Sequence, residues 1–448
     1  MAEVITKATP TKRDYETLVE LDKKHFLHPT SPIKQQQEDG PAFIFTEGKG
    51  IYLKDIHGQE LIDGLSSLWN VNIGHGRKEL GQVAAEQMSK LAFSSTFATF
   101  SHEPAIELAA KIAEITPGDL NTVFFTSGGS ESNDTAFKLV RHYWKLKGQP
   151  EKKKIVSRRK SYHGVAMGAT SATGLQPFRD FTTSLAPDFY YVESTPESFR
   201  AFIEAEGAET IAAYISEPIQ GTGGVIMPPK DYFKEIKSIC EENNILFIAD
   251  EVITGFGRTG TYFGVEQFGI VPDIMSVAKG ITSGYAALGG VIISEKIHQD
   301  LIDLSDGLFM HGYTYSGHPT ACAVALKNIE IIESEGLIDN SKAMGEKMLE
   351  GFKRIQAKHE IVGEVRGLGL MGAIEIVEDK ETGKRFAEPL APSIVAESLK
   401  RGLIHRGVIY EGADTLIFAP PLNINEEEVE KMIQIIDEAI TAAKSNVK

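Results

Sequence analysis

The segment Ile245-Leu-Phe-Ile-Ala-Asp250-Glu-Val-Ile-Thr-Gly-Phe-Gly-Arg-Thr-Gly260 opens with five apolar residues and then turns polar and glycine-rich. Five are too few for a buried helix and predict an interior strand over Ile245–Ala249. Such a strand delivers Asp250 to its C-terminal end, where open parallel α/β sheets keep their ligands. A second apolar run, Ile274-Met-Ser-Val-Ala278, delivers Lys279 in the same way about thirty residues on. One sheet edge is therefore expected to present a carboxylate and an amine to one crevice. Taken singly, Asp250 reads as well as a turn cap and Lys279 as a solvated surface amine, so the remainder of the chain has to decide.

Outward from this segment, strands and helical patterns alternate. Further strands are predicted at Val123–Phe125, Ile155–Val156, Tyr190–Val192, Ile211–Ile215 and Gly290–Ile293, with helices over Asp134–Lys147, Pro196–Ala205 and Asp231–Asn243. That alternation predicts an α/β fold: a largely parallel sheet with helices on both faces. Upstream, Asp14–His25 reads as a polar helix, and Ile51–Asp63 alternates around His57-Gly58 as a hairpin. Ala105–Ile115 is helical and stops at Thr116-Pro-Gly118. Downstream, an amphipathic stretch from Thr320 to His359 is broken at Gly336. Strand-like Val365–Val377 and Thr415–Phe418 then accompany helical Ala391–Arg401 and Glu426–Ala443, the last with an Asn425/Glu428 capping box. The expected division is a large domain over 76–330 and a smaller α+β domain over 331–448, to which the N-terminal segment 1–75 adds its hairpin.

At 448 residues the chain is long for a single core, which suits two linked domains. A net charge of −16 and a pI near 5.3 argue against nucleic acid or an anionic membrane as partner. The two cysteines, Cys240 and Cys322, sit in apolar helical patterns and are expected to be buried and reduced. No apolar run approaches a membrane span, and the N-terminus carries no apolar leader, so a cytoplasmic location is expected. His75, His102, His163, His311 and His318 fall at no ligand spacing, and no metal is expected.

The strand at Val123–Phe125 breaks into Thr126-Ser-Gly-Gly-Ser130-Glu-Ser-Asn133 ahead of a helix. Glycines let a backbone approach an anion, the free N–H groups of a helix start favour negative charge, and Ser130 adds a hydroxyl. An ordinary Gly/Ser turn with a helix cap reads the same residues equally well. Together, however, an anion cradle, an amine and a carboxylate are what pyridoxal phosphate chemistry requires. The amine bonds its carbonyl carbon, and the carboxylate keeps its ring nitrogen protonated. A competing signal is Gly255-Phe-Gly257-Arg-Thr-Gly260, which fits the dinucleotide pattern after a strand but lacks the helix that should follow. It leaves a nicotinamide-dependent oxidoreductase as the alternative from another class, and a glycine-rich loop packed near the site as the structural one.

Taken together, these features resemble the class III (ω-amino acid) aminotransferases of pyridoxal phosphate fold type I, over almost the whole chain from Asp22–Pro29 to Ala419–Leu422. The motifs that carry the resemblance are Ser127-Gly-Gly-Ser-Glu-Ser-Asn133, Tyr162-His163-Gly164, Ser216-Glu217-Pro218-Ile-Gln-Gly221 and Ala249-Asp-Glu-Val252 with the glycine-rich loop. Ala278-Lys279-Gly280 and Tyr313-Thr314-Tyr315-Ser-Gly-His-Pro319 complete them. Leu68-Trp69-Asn70 and the His28-Pro29 opening are most similar to the amine or ω-amino acid:pyruvate branch.

The resemblance implies a large domain with a mostly parallel mixed sheet flanked by helices, and a smaller α+β domain drawn from both chain ends. It implies that Lys279 holds the cofactor as an aldimine and shuttles the proton, and that Asp250 pairs with the ring nitrogen. Val252 and Tyr162 would flank the ring, Gly129 and Ser130 would hold the phosphate, and Glu217 would stand close behind. His163 is expected as a companion of Tyr162. Thr314 would reach the phosphate of a neighbouring subunit, which makes the sites shared in a homodimer, with a tetramer also compatible. Trp69, Phe97 and Tyr162 would line the substrate pockets. Arg406 would hold a carboxylate and swing away for amines, with Gly407 and Gly412 as flanking hinges. Two departures stand out: the link from Arg406 to Ala419 is longer than usual, and Gly128 occupies a position where the family often has serine. The activity implied is ping-pong transfer of an amino group from an amine or ω-amino acid to a keto acid, pyruvate first, with an aminomutase or racemase as the alternative on this fold.

Overall fold

The computed structural model describes residues 14–445. The first thirteen residues of the segment 1–75 and the last three of 331–448 lie outside them. Near the N-terminus, β1 (Phe45–Lys49), β2 (Tyr52–Asp55) and β3 (Glu60–Asp63) form an antiparallel meander, the second and third strands being the expected hairpin. The central strands follow as β4 (Leu120–Thr126), β5 (Lys154–Arg158), β6 (Phe189–Val192), β7 (Ile211–Ser216), β8 (Leu246–Asp250), β9 (Ile274–Val277) and β10 (Gly289–Ser294). They form one seven-stranded sheet in the order β4-β10-β9-β8-β7-β5-β6. Only β10 runs antiparallel, to both β4 and β9. All seven strands occur where the apolar runs predict them.

The alternation of side chains along β8 explains why this sheet is covered on both sides. Phe247 and Ala249 join one core with Tyr232, Phe233 and Ile236 of the helix Tyr232–Glu242. Leu246 and Ile248 join the opposite core, with Ala136, Phe137 and Val140 of the helix Gly129–Leu146. Every residue of β7, β8 and β10 is buried, as expected for strands packed on both faces.

The C-terminal part contributes β11 (Val362–Leu368), β12 (Met371–Ile376), β13 (Leu403–Ile404), β14 (Arg406–Val408) and β15 (Thr415–Phe418). Four of these form an antiparallel sheet in the order β11-β12-β15-β14, while β13 pairs parallel with β3. The two chain ends thus share a sheet. The capping box forms as expected, with Asn425 N donating to Glu428 Oε2 and Glu428 N to Asn425 Oδ1, both at 3.0 Å. Several elements differ in extent from the sequence reading, and strand-like Val365–Val377 divides into β11 and β12. The helix expected from Asp134 begins at Gly129, and the link between Arg406 and Ala419 contains β14, paired with β15.

Candidate active site

The parallel register brings three acidic or basic positions to one edge. Ser216 pairs with Ala249 and Asp250 with Ser276, so Glu217, Asp250 and Lys279 leave neighbouring strands at the same end. Asp250 is held firmly: its Oδ2 accepts from Asn133 Nδ2 at 2.8 Å and lies 2.7 Å from His163 Nδ1, and its Oδ1 accepts from Val252 N at 3.1 Å. His163 is therefore the partner of Asp250 rather than a companion of the tyrosine ring. Its Nε2 is buried and has no hydrogen-bond partner among the described residues.

Lys279 follows the end of β9 after Ala278, with φ +47°, a left-handed conformation that costs a residue with a Cβ and recurs at functional sites. Burial pulls its ammonium down to about 8, although the charges of Asp250 and Glu217 push the other way. Among the described residues no hydrogen bond contributes to that balance. About a tenth of the amine is thus neutral at pH 7, far more than an ordinary lysine offers. The free protein's Lys279 should react with a small carbonyl reagent at a rate that rises with pH and levels off above about 8. A lysine at its ordinary pKa would keep accelerating beyond that point, so a stopped-flow pH profile separates the two.

At the far side of the same edge, β4 leads into a helix start with no side-chain cap: Gly128 is extended (φ 174°, ψ 174°) and offers none. Uncapped N–H groups of this kind bind anions. Ser130 Oγ stands beside them, accepting from Val165 N at 3.0 Å. A Cβ on Gly129 would come within 2.8 Å of Val252 Cγ1, so no larger residue fits between the helix start and the strand end. Glu217 is anchored on both oxygens, by Tyr162 N and Gly221 N at 2.9 Å each, and burial raises its pKa.

A cavity of about 310 Å³ collects these groups. Trp69, Gly129, Ser130, Tyr162, Glu217, Asp250, Val252, Lys279 and Arg406 all line it. Phe97 and Thr314 do not. Both are exposed, and Phe97 lies against Gly312, so the two segments sit together on the surface. Asn133, Phe178, Thr222 and Tyr410 line the cavity without having been singled out in the sequence. Phe178 meets Tyr162 at 5.1 Å and Tyr410 at 5.6 Å between ring centroids, both edge-on, which makes a continuous aromatic wall. Tyr410 comes from the longer link after Arg406, and Glu411 in that link accepts from Gln176 N at 2.8 Å.

Arg406 stands on β14 with its side chain exposed at the cavity. Gly407 is not a hinge: it is paired with Leu416, and a Cβ there would approach Ala391 Cβ to 3.1 Å. Gly412, the other expected hinge, lies outside the paired strand at φ +77° with open space around it. No α-helix opens on the glycine-rich loop 255–260 among the described residues, so the dinucleotide pattern lacks the element it needs. The loop is closed from within by Glu251, which accepts from Thr254 Oγ1, from Gly264 N at 2.8 Å and from Val265 N at 2.7 Å.

Residues 33–440 match the family described as aminotransferase class-III. A putrescine–pyruvate aminotransferase of Pseudomonas aeruginosa is 41% identical over 434 residues, 93% of this chain and 94% of that protein. A solved transaminase from the marine bacterium Virgibacillus is similar with a TM-score of 0.95 and 53% identity, covering 96% of this chain and 100% of that one. A thermostable (S)-enantioselective ω-transaminase from Thermomicrobium roseum is similar with a TM-score of 0.92 and 44% identity, covering 96% and 99%.

Proposed function

Since the chain belongs to the class III aminotransferase family and shares the type I fold of its solved relatives, we propose that it moves an amino group from an amine or ω-amino acid to a keto acid, pyruvate first, with pyridoxal 5'-phosphate as cofactor. The residues present fit that cofactor. An uncapped helix start beside Ser130 suits a phosphate dianion, a fixed buried carboxylate suits a protonated ring nitrogen, and an amine without a hydrogen-bond partner suits the carbonyl carbon. When bound, pyridoxal phosphate supplies an electron sink for the carbon that loses its proton.

The chain's own residues divide the remaining work. Lys279 is the nucleophile and, once free, the base that lifts a proton and returns it from Nζ. Its lowered pKa keeps both roles open near neutrality. Asp250 would supply the carboxylate that balances the ring nitrogen, and His163 and Asn133 hold that carboxylate in place. Gly129 and Ser130 would hold the phosphate, Val252 and Tyr162 would wall the ring, and Glu217 braces the Tyr162 backbone. The single observation that carries the reading is the buried amine of Lys279, without a hydrogen-bond partner among the described residues and with a lowered pKa, in the cavity that also holds Asp250 and the cation of Arg406. A screen of ω-amino acids, diamines and arylalkylamines against pyruvate, read as alanine formed, tests it. No alanine from any donor class would overturn it.

Arg406 is the group we assign to the carboxylate of the keto acid. Arg406→Ala should raise the KM for pyruvate at least about tenfold, while an amine lacking a carboxylate keeps its half-reaction rate within about threefold, the mark of lost uniform binding. Equal damage to both half-reactions would make Arg406 structural.

Two further assignments belong to this reading. The surface that carries Phe97 and Thr314 also exposes Phe93, Phe100, Leu308 and Met310, an apolar patch suited to a second copy of the chain. There Phe97 and Thr314 would complete the partner's site. We divide the chain as a large domain over 76–330 and a small one over 331–448 with the segment 1–75, on the strength of the shared sheet of β3 and β13. A cytoplasmic setting suits the free, buried thiols of Cys240 and Cys322.

A further inference from the structure

The glycine-rich loop performs none of the chemistry above, yet it places a fully buried cation at the seam of the molecule. Arg258 is 0% exposed. Its Nη1 donates to the carbonyls of Leu370, at 3.1 Å, and Pro420; its Nη2 donates to Ser66 Oγ at 3.1 Å and Asn72 Oδ1 at 2.8 Å. None of these four acceptors is a carboxylate. Burying a cation without a contacting counter-charge is unfavourable, so the four acceptors must need the fork of donors badly.

What the fork touches is strained. Ser66, Ser67 and Trp69 all lie in the left-handed region, with φ of 48°, 58° and 65°. Residues with a Cβ hold such angles only where their surroundings over-determine them. Three sets of contacts do so here. The Asp63 carboxylate accepts from Leu65 N at 3.3 Å and from Ser67 N at 2.7 Å. Ser66 Oγ donates to Ala419 O at 2.7 Å. Arg258 closes the third side by donating to Ser66 Oγ, and the Asn72 amide it also holds donates onward to Phe256 O at 2.9 Å. The turn so fixed carries Trp69, 3% exposed, into the cavity wall.

We propose that Arg258 is a positioning residue for donor specificity: through Ser66 it locks the strained turn that sets Trp69 as a wall of the substrate cavity, and thereby limits the bulk of the amine tail that fits. The proposal rests on the reading of that cavity as an amine site. It also explains why the position is an arginine. The acceptors come from three separate segments, and a forked guanidinium reaches them all where an ammonium donates from one point.

The chain has only two tryptophans, Trp69 and Trp144, so a Trp144→Phe background leaves Trp69 as the sole indole emitter. In that background, and without added cofactor, Ser66→Ala and Arg258→Lys should each shift Trp69 emission to the red and raise its quenching by acrylamide. In the loaded enzyme the same variants should change the kcat/KM ratio of an arylalkylamine to β-alanine by about tenfold, chiefly through KM. Ser66→Ala leaves Arg258 and its three other acceptors in place, so the test stands even where Arg258→Lys folds poorly. Unchanged quenching in both variants, or a fall in kcat equal for every donor, overturns the proposal. Trp69→Leu separates the two levels of the argument. If Ser66→Ala alters quenching while Trp69→Leu leaves the donor ratio unchanged, Trp69 is no specificity wall and the proposal fails. If the unmodified protein transfers nothing from any donor, the functional reading fails, and the proposal that rests on it falls too.

Discussion

Lys279→Ala should abolish amino transfer to within the background, a loss of several orders of magnitude like that seen when other covalent nucleophiles are deleted. Nucleophile and proton carrier are the same atom here, so one truncation removes both. Among the described residues no second amine lines the cavity to take its place. The fold should survive, because the Lys279 ammonium is buried at a cost and alanine removes that cost; circular dichroism and phosphate binding at the Gly129 helix start should match the parent. Single-turnover measurement with a good donor provides the check. More than about one per cent of activity remaining would move the chemistry to another lysine.

Asp250→Asn should retain the fold and slow the chemical step by roughly 100- to 1000-fold, on the order of 3–4 kcal/mol for a preorganised charge. Two effects act together. An amide cannot balance a protonated ring nitrogen, so the electron sink weakens. It also meets donors on both sides: Asn133 Nδ2 and His163 Nδ1 face one carboxylate oxygen and Val252 N faces the other. An asparagine offers one acceptor where this geometry uses two, so its NH2 group must oppose a donor. Parent-like single-turnover rates would reduce Asp250 to a turn cap. If the rate falls and His163→Gln reproduces part of the fall, the assignment of His163 as the residue that orients Asp250 stands as well.

The central sheet was legible because its strands are buried on both faces, which turns them into uninterrupted apolar runs. The acid and the amine were legible for the same reason, since each closes such a run. The misreadings have particular physical causes. The helix beginning at Gly129 starts five residues before its apolar stripe, in a Gly/Ser stretch of poor helix formers, because the anion cradle needs bare N–H groups there. His163 and Asp250 lie 87 residues apart, and nothing local to either indicates that they share a hydrogen bond. β13 and β14 have two and three residues, too few to show any period. Their pairing nevertheless decides that Arg406 faces the cavity. Gly407 suggested a hinge by its residue type alone, although its place in a paired strand allows none.

The pairing of the chain's two ends also bears on how the protein is made. Leu403 and Ile404 complete the edge of β3, and Ser66 meets Ala419 across 353 positions of sequence. A ribosome adds about 5–20 residues per second, so the amino-terminal hairpin waits roughly 20–70 s for its last neighbour. During that interval β4 to β10 can already assemble, since every strand of the central sheet has emerged. The nascent chain then carries a finished sheet beside an unpaired β3 edge, the kind of surface on which growing polypeptides associate with one another. Refolding from denaturant, where both ends are present from the first moment, is free of that delay.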